Sequence, residues 1–170
     1  QIYSLDSNSY TYEPVGYNYV HDDQIDWYKK GIEAANPGWK VTDGAAPVKS
    51  LIFQHIPIPE YQDATDAFSA GLVDGVGENR ENNSIPNINS GFFDVIKEYG
   101  SSTGMFCGHD HLDNLDIKYD GFRFVYGCKS TDNMYHDPDF IGYRLITLKP
   151  SLPDKFETKA VHHTYEEVAK

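Results

Sequence analysis

Gly104-Met105-Phe106-Cys107-Gly108-His109-Asp110-His111 is the stretch on which the reading of this chain turns. Met105-Phe106-Cys107 is a short apolar run bounded by turn residues, which reads as a buried strand. Gly108 ends it and lets the backbone turn closely. His109 and His111 stand two residues apart, so at a strand end they can point the same way. Neutral imidazole is a good ligand for zinc, iron and manganese. A Gly-His-x-His string equally fits two polar histidines in a turn.

Upstream, Ser50 to Ile56 is a second compact apolar run and a second candidate buried strand. It passes through His55 into Pro57 and Pro59, which prevent regular pairing and convert the strand to a loop. His55 and His109-Asp110-His111 thus both sit where an apolar strand ends, and the two points should be close if those strands are neighbours.

Farther out, Ile2 to Ser7 reads as a strand entering a turn, followed by a polar, tyrosine-rich loop to Tyr19. Asp22 or Asp23 can cap a helix carrying Ile25, Tyr28, Ile32 and Ala35 at helical spacing, stopped by Asn36-Pro37-Gly38. Residues 68–90 form a long, weakly periodic segment rich in Gly, Asn and Glu, of the kind that is either a functional lid or a disordered insertion. It contains Asn82-Asn83-Ser84, which fits a glycosylation sequon. Asn89 or Ser90 caps a second helix with Phe92, Ile96 and Tyr99 on one face and Gly100 at its end. Leu115–Tyr119 and Phe122–Tyr126 flank Asp120-Gly121, a hairpin signal. Tyr143–Leu148 and Phe156–His162 supply two more strands. The order, alternating strands and helices and then a run of antiparallel strands, predicts an α/β class.

The net charge of −12 repels nucleic acid and anionic membrane, and neither is expected as a partner. It repels phosphate groups too, so a phosphate-processing site would need local positive charge, such as a metal ion supplies. The two cysteines, Cys107 and Cys128, do not make a disulfide framework and read as buried thiols.

Leu51-Ile52-Phe53-Gln54-His55-Ile56-Pro57-Ile58-Pro59-Glu60-Tyr61 resembles the middle-histidine segment of calcineurin-like metallophosphoesterases, in the purple-acid-phosphatase-like branch. Ser90-Gly91-Phe92-Phe93 and the Gly104 to His111 block resemble the C-terminal Gly-His-x-His region of the same branch. Leu5-Asp6-Ser7 and Gln24-Ile25-Asp26-Trp27-Tyr28 also resemble segments of it.

The resemblance implies that residues 1–170 are the C-terminal part of a single domain, half of a four-layer α/β/β/α sandwich with a two-metal site between its sheets. It implies that His55 and His109 bind one metal and His111 the other, the pair being Fe, Zn or Mn in divalent or mixed-valence form, and that the substrate is a phosphate ester, mono- or diester, hydrolysed by metal-activated water. The remaining family ligands lie in Asp-x-His, Gly-Asp-x-x-Asp and Gly-Asn-His-Asp or -Glu strings, none of which occurs here. The bridging carboxylate and the usual leaving-group histidine are therefore missing, and no catalytic residue is assigned in this half. Two metals about 3.5–4 Å apart need carboxylates to hold that spacing. The chain alone is expected to bind at most one metal, weakly, and to be inactive.

Four weaker candidates border that site. Asp110 either faces away and orients an imidazole or is a polar turn residue; Glu60 either fixes the His55 loop or is solvated; Asn89 and Glu78 lie on the long loop and are candidates to border substrate. His162-His163 read as a strand residue and a surface residue. An alternative function is a non-catalytic metal- or partner-binding fragment, pairing with a missing N-terminal half or with itself through an exposed apolar flank. A third reading, an unrelated histidine-metal hydrolase, requires a carboxylate ligand near His111, such as Asp113 or Asp116.

Overall fold

The computed structural model describes residues 1–163. The chain runs β1 (Ile2–Ser4), β2 (Tyr10–Tyr12), β3 (Val15–Tyr17), α1 (Asp22–Ala35), β4 (Ser50–Phe53), α2 (Glu60–Ser69), β5 (Gly75–Val76), α3 (Phe92–Tyr99), β6 (Ser102–Cys107), β7 (Asp116–Tyr119), β8 (Phe122–Tyr126), β9 (Gly142–Leu148) and β10 (Phe156–His162). A six-stranded mixed sheet has the order β1-β4-β6-β8-β7-β5. Neighbours β1/β4, β4/β6 and β6/β8 are parallel, whereas β7/β8 and β5/β7 are antiparallel.

Side chains alternate across a strand, and the apolar residues here sort accordingly. Ile52, Met105, Cys107, Phe124 and Tyr126 face one side, packing with Tyr28 and Ile32 of α1, Tyr61 and Ala64 of α2, and Phe92 and Ile96 of α3. Leu51, Phe106 and Val125 face the other, meeting Phe156 and Ile146 of the β9/β10 hairpin. The central strands are apolar on both faces because both are covered. The hairpin leaves part of its face open. A groove of about 480 Å³ runs past Ile2, Val48, Leu51, Leu148 and Pro150, with Ile2 62% and Leu148 63% exposed.

The span of helix α1, the strand through Ser50, the β7–β8 hairpin and the terminal strand pair agree with the sequence, but the N-cap of α1 is His21 rather than Asp22 or Asp23, with Gln24 Oε1 accepting from the His21 N–H. Asp120 and Gly121 both have positive φ, 48° and 76°, as a two-residue turn of this type requires. Four further expectations are corrected. Glu60–Ser69 is helical, so the long loop begins later than residue 68 and is interrupted by β5. The tyrosine-rich stretch holds the β2/β3 hairpin, its Tyr10 and Tyr17 rings stacked at 5.5 Å. The N-cap of α3 is Gly91, at φ 72°, rather than Asn89 or Ser90; Asn89 Oδ1 accepts from the Gly91 N–H. Cys107 is buried, but Cys128 is only partly so.

Candidate metal site

Because β4 and β6 are adjacent and parallel, both strands end on the same edge of the sheet, and their two loops meet there. The junction is tied by the backbone: Gln54 N–H donates to Phe106 O (3.1 Å) and Gly108 N–H to His55 O (3.1 Å). Ile56 N–H donates to Ser7 Oγ, so the loop after β1 braces the same point. Past Gly108 the chain turns sharply, with Asp110 N–H donating to Gly108 O and His109 at φ 75°. A positive φ is uncommon for a residue with a side chain and marks a position held by its surroundings.

This turn sets His109 against His55. His109 Nδ1 and His55 Nε2 are 3.3 Å apart, with ring planes at 81°. Two donors held about 2.0–2.1 Å from one tetrahedral ion stand about 3.3–3.4 Å apart. The same separation fits a long hydrogen bond between a protonated and a bare ring nitrogen. Burial lowers the His109 pKa and so favours the neutral ring, the form that ligates metals. Its other nitrogen, Nε2, is buried without a hydrogen-bond partner among the described residues, and Tyr17 packs against the ring at 4.4 Å.

His111 is placed differently. Its Nδ1 lies 2.8 Å from Tyr135 O and its ring stacks on Tyr135 at 4.1 Å. Among the described residues no group of three or more His, Cys, Asp or Glu side chains is arranged to hold a metal ion. The residues present fit one ion shared by two imidazoles, and they do not fit a two-metal centre.

The four weaker candidates all serve the loops around this point. Asp110 is buried and turned into the fold, where its carboxylate accepts from Ser84 N–H (3.2 Å) and Tyr126 O–H (2.9 Å). Glu60 Oε1 accepts from Asn89 Nδ2 at 2.6 Å, joining the start of α2 to the end of the long loop beneath the His55 segment. Glu78 pairs with Arg80, and its backbone is bonded to Asn114. The carboxylates considered as alternative ligands are engaged elsewhere. Asp113 accepts from Arg80 N–H and Glu81 N–H, and Asp116 is held by Arg123 and Arg144.

A cleft of about 300 Å³ opens beside the histidines, with Gly127, Lys129 and Ser130 on its other wall. That wall, and the contacts of Tyr17 and Tyr135, carry no sequence signal, since all come from loops brought in by tertiary packing.

No family model matches the chain, and no solved structure matches it. Two curated plant proteins do. The chain is 32% identical over 131 residues to Probable inactive purple acid phosphatase 14 of Arabidopsis thaliana, covering 74% of this chain and 31% of that protein. It is 29% identical over 132 residues to Probable inactive purple acid phosphatase 29 of the same organism, covering 74% and 32%. These similarities support a purple-acid-phosphatase-like relationship. The chain spans about a third of the length of the curated relatives it matches.

Proposed function

We propose that this chain is the histidine-bearing C-terminal part of a metal-dependent phosphoesterase domain, half of a four-layer sandwich, and that it does not hydrolyse esters by itself. The observation that carries the reading is the 3.3 Å approach of His55 Nε2 to His109 Nδ1 at the ends of two adjacent strands. In this reading the pair holds one ion, His111 is a ligand of a second after leaving Tyr135, and further ligands come from a segment carrying the absent Asp-x-His and Gly-Asn-His strings. A metal-bound imidazole ordinarily donates its other N–H to a carboxylate or carbonyl, and His109 Nε2 has no such partner among the described residues, so the reading requires the absent segment to supply that acceptor. The open groove at Ile2 and Leu148 supports the reading, as a face suited to that segment or to a second copy of the chain. A bound zinc, iron or manganese ion would polarise a phosphoryl oxygen and acidify a bound water. With the bridging carboxylate missing, the residues of this chain do not complete that chemistry.

A second reading, a non-catalytic metal- or partner-binding fragment, is favoured by the engagement of His111 with Tyr135 and by the word inactive in the names of both relatives. The test is a Co²⁺ or Zn²⁺ titration of the chain and of His55→Ala and His109→Ala, beside para-nitrophenyl phosphate hydrolysis by the chain alone and joined to a segment bearing the missing strings. The phosphoesterase reading expects metal binding lost in both variants, no turnover by the chain alone, and turnover once the segment is supplied. Equal metal binding by wild type and both variants would sink it. An inactive joined form that binds metal would establish the second reading instead.

A further inference from the structure

We propose that the cleft beside His55 and His109 is an oxyanion site in which Lys129 supplies the positive charge, and that its ligand is a phosphate group; the choice of phosphate among oxyanions rests on the phosphoesterase reading. The cleft, about 300 Å³, is walled by His55, His109 and His111 on one side and Gly127, Lys129 and Ser130 on the other. Lys129 is the sole Lys or Arg lining it among the described residues.

Among the described residues no carboxylate pairs with Lys129. Arg80, Lys118, Arg123 and Arg144 each sit within 4 Å of a carboxylate. Lys129 Nζ donates instead to Thr131 Oγ1 (3.0 Å) and Asn133 Oδ1 (2.9 Å), both neutral, and has no carboxylate within 4.0 Å among the described residues. An ammonium has three donors, and among the described residues these two bonds use two of them. Among the described residues one carboxylate lines the cleft, that of Asp110, which accepts from Ser84 N–H and Tyr126 O–H while its charge is still felt by the His109 ring.

The placement of the lysine is built into the backbone. Gly127 N–H donates to Cys107 O at 2.6 Å and Gly142 N–H to Lys129 O at 2.8 Å, clamping the residue between the end of β6 and the start of β9. A Cβ at Gly142 would fall 2.1 Å from Val161 O, so this clamp requires glycine. The result is a fixed cation in a chain of net charge −12, sharing its cleft with three imidazoles and, among the described residues, one carboxylate. Such an arrangement attracts an anion locally against the field of the whole molecule, and a charge-assisted bond to a phosphate oxygen is the strong kind.

The test uses the chain and inorganic phosphate, followed by calorimetry and ³¹P NMR at low ionic strength in the presence of a metal chelator. The expected result is saturable phosphate binding, weakened about tenfold or more in Lys129→Gln, retained within about threefold in Lys129→Arg, and unchanged in Lys30→Gln, a control on the exposed side of α1. Fold integrity of Lys129→Gln is checked by its thermal midpoint. Wild-type binding that is undetectable at millimolar phosphate, or equal in Lys129→Gln, overturns the proposal. Zinc titration of Lys129→Gln separates the two ideas. Metal binding that survives there, with phosphate binding lost, supports the lysine's role. Metal binding that is absent even in wild type, while Lys129-dependent phosphate binding persists, removes the metal reading and leaves this one standing.

Discussion

A Cβ on Gly108 would lie 3.3 Å from His55 Nδ1, so the absence of a side chain at one strand end is what seats the imidazole at the other. The contact is tight but not impossible, and the ring would have to yield by a few tenths of an ångström. Gly108→Ala should therefore tilt His55 away from His109 and weaken zinc binding by about tenfold, which corresponds to ~1.4 kcal/mol. Stability should fall by about 1 kcal/mol, at the mild end for overpacking. Cobalt absorbance titration and urea unfolding measure the two effects, and an unchanged cobalt affinity would refute the seating role.

Asp110 bonds the long loop to the sheet through Ser84 N–H and Tyr126 O–H. Asp110→Ala should leave the half-buried Ser84 N–H without its acceptor and the Tyr126 O–H with Asn83 Oδ1 at 3.2 Å in its place, costing about 1–3 kcal/mol for the stranded donor. We expect a lower urea midpoint and faster proteolytic cleavage near residues 80–86. Cleavage at the wild-type rate would mean that other contacts, such as Asn83 Nδ2 with Thr65, hold the loop by themselves.

Burial raises the Asp113 pKa to about 7, against the opposing effect of the N–H donors of Arg80 and Glu81. The folded chain therefore binds more protons here than the unfolded chain, whose carboxyl titrates near 3.8. The stability this group contributes is fully present below about pH 4 and is lost as the pH rises through about 7. Asp113→Asn should abolish that decline. The check is the urea midpoint of both proteins from pH 4 to 8, and parallel curves would show that Asp113 does not titrate in this window.

Ile2 and Leu148 lie on the open groove, 62% and 63% exposed. Exposed apolar surface beside an edge strand favours association. The chain should show concentration-dependent dimers or larger species by analytical ultracentrifugation, reduced by Leu148→Lys. A monomer at all concentrations would show that this face is self-sufficient.

What could be read directly from the residues followed from local rules. The alternation Leu51/Ile52 and Phe106/Met105 is the pattern of strands covered on both faces, as the two core clusters display. Asp120-Gly121 dictates its turn by backbone preference. Helix α2 escaped notice because it begins just behind Pro59, where the prolines read as loop, and because Tyr61, Ala64 and Thr65 are its only buried residues. The β2/β3 hairpin escaped because its strands are three residues each and largely exposed; Asn87, far along the chain, bonds it through Val15 O.

The sequence by itself determined the α/β alternation and the placing of His55 and His109 at strand ends, because strand period and turn chemistry are local. Only the tertiary structure decided that β4 and β6 are neighbours, that His55 Nε2 and His109 Nδ1 stand 3.3 Å apart while His111 stacks on Tyr135, and that Lys129 shares their cleft. Those facts depend on strand order and on loops meeting across 20 to 74 residues of chain, as His111 does Tyr135 at a separation of 24 and His55 does His109 at 54. Propensity and spacing are silent at that range, where packing of the two sheet faces selects the neighbours.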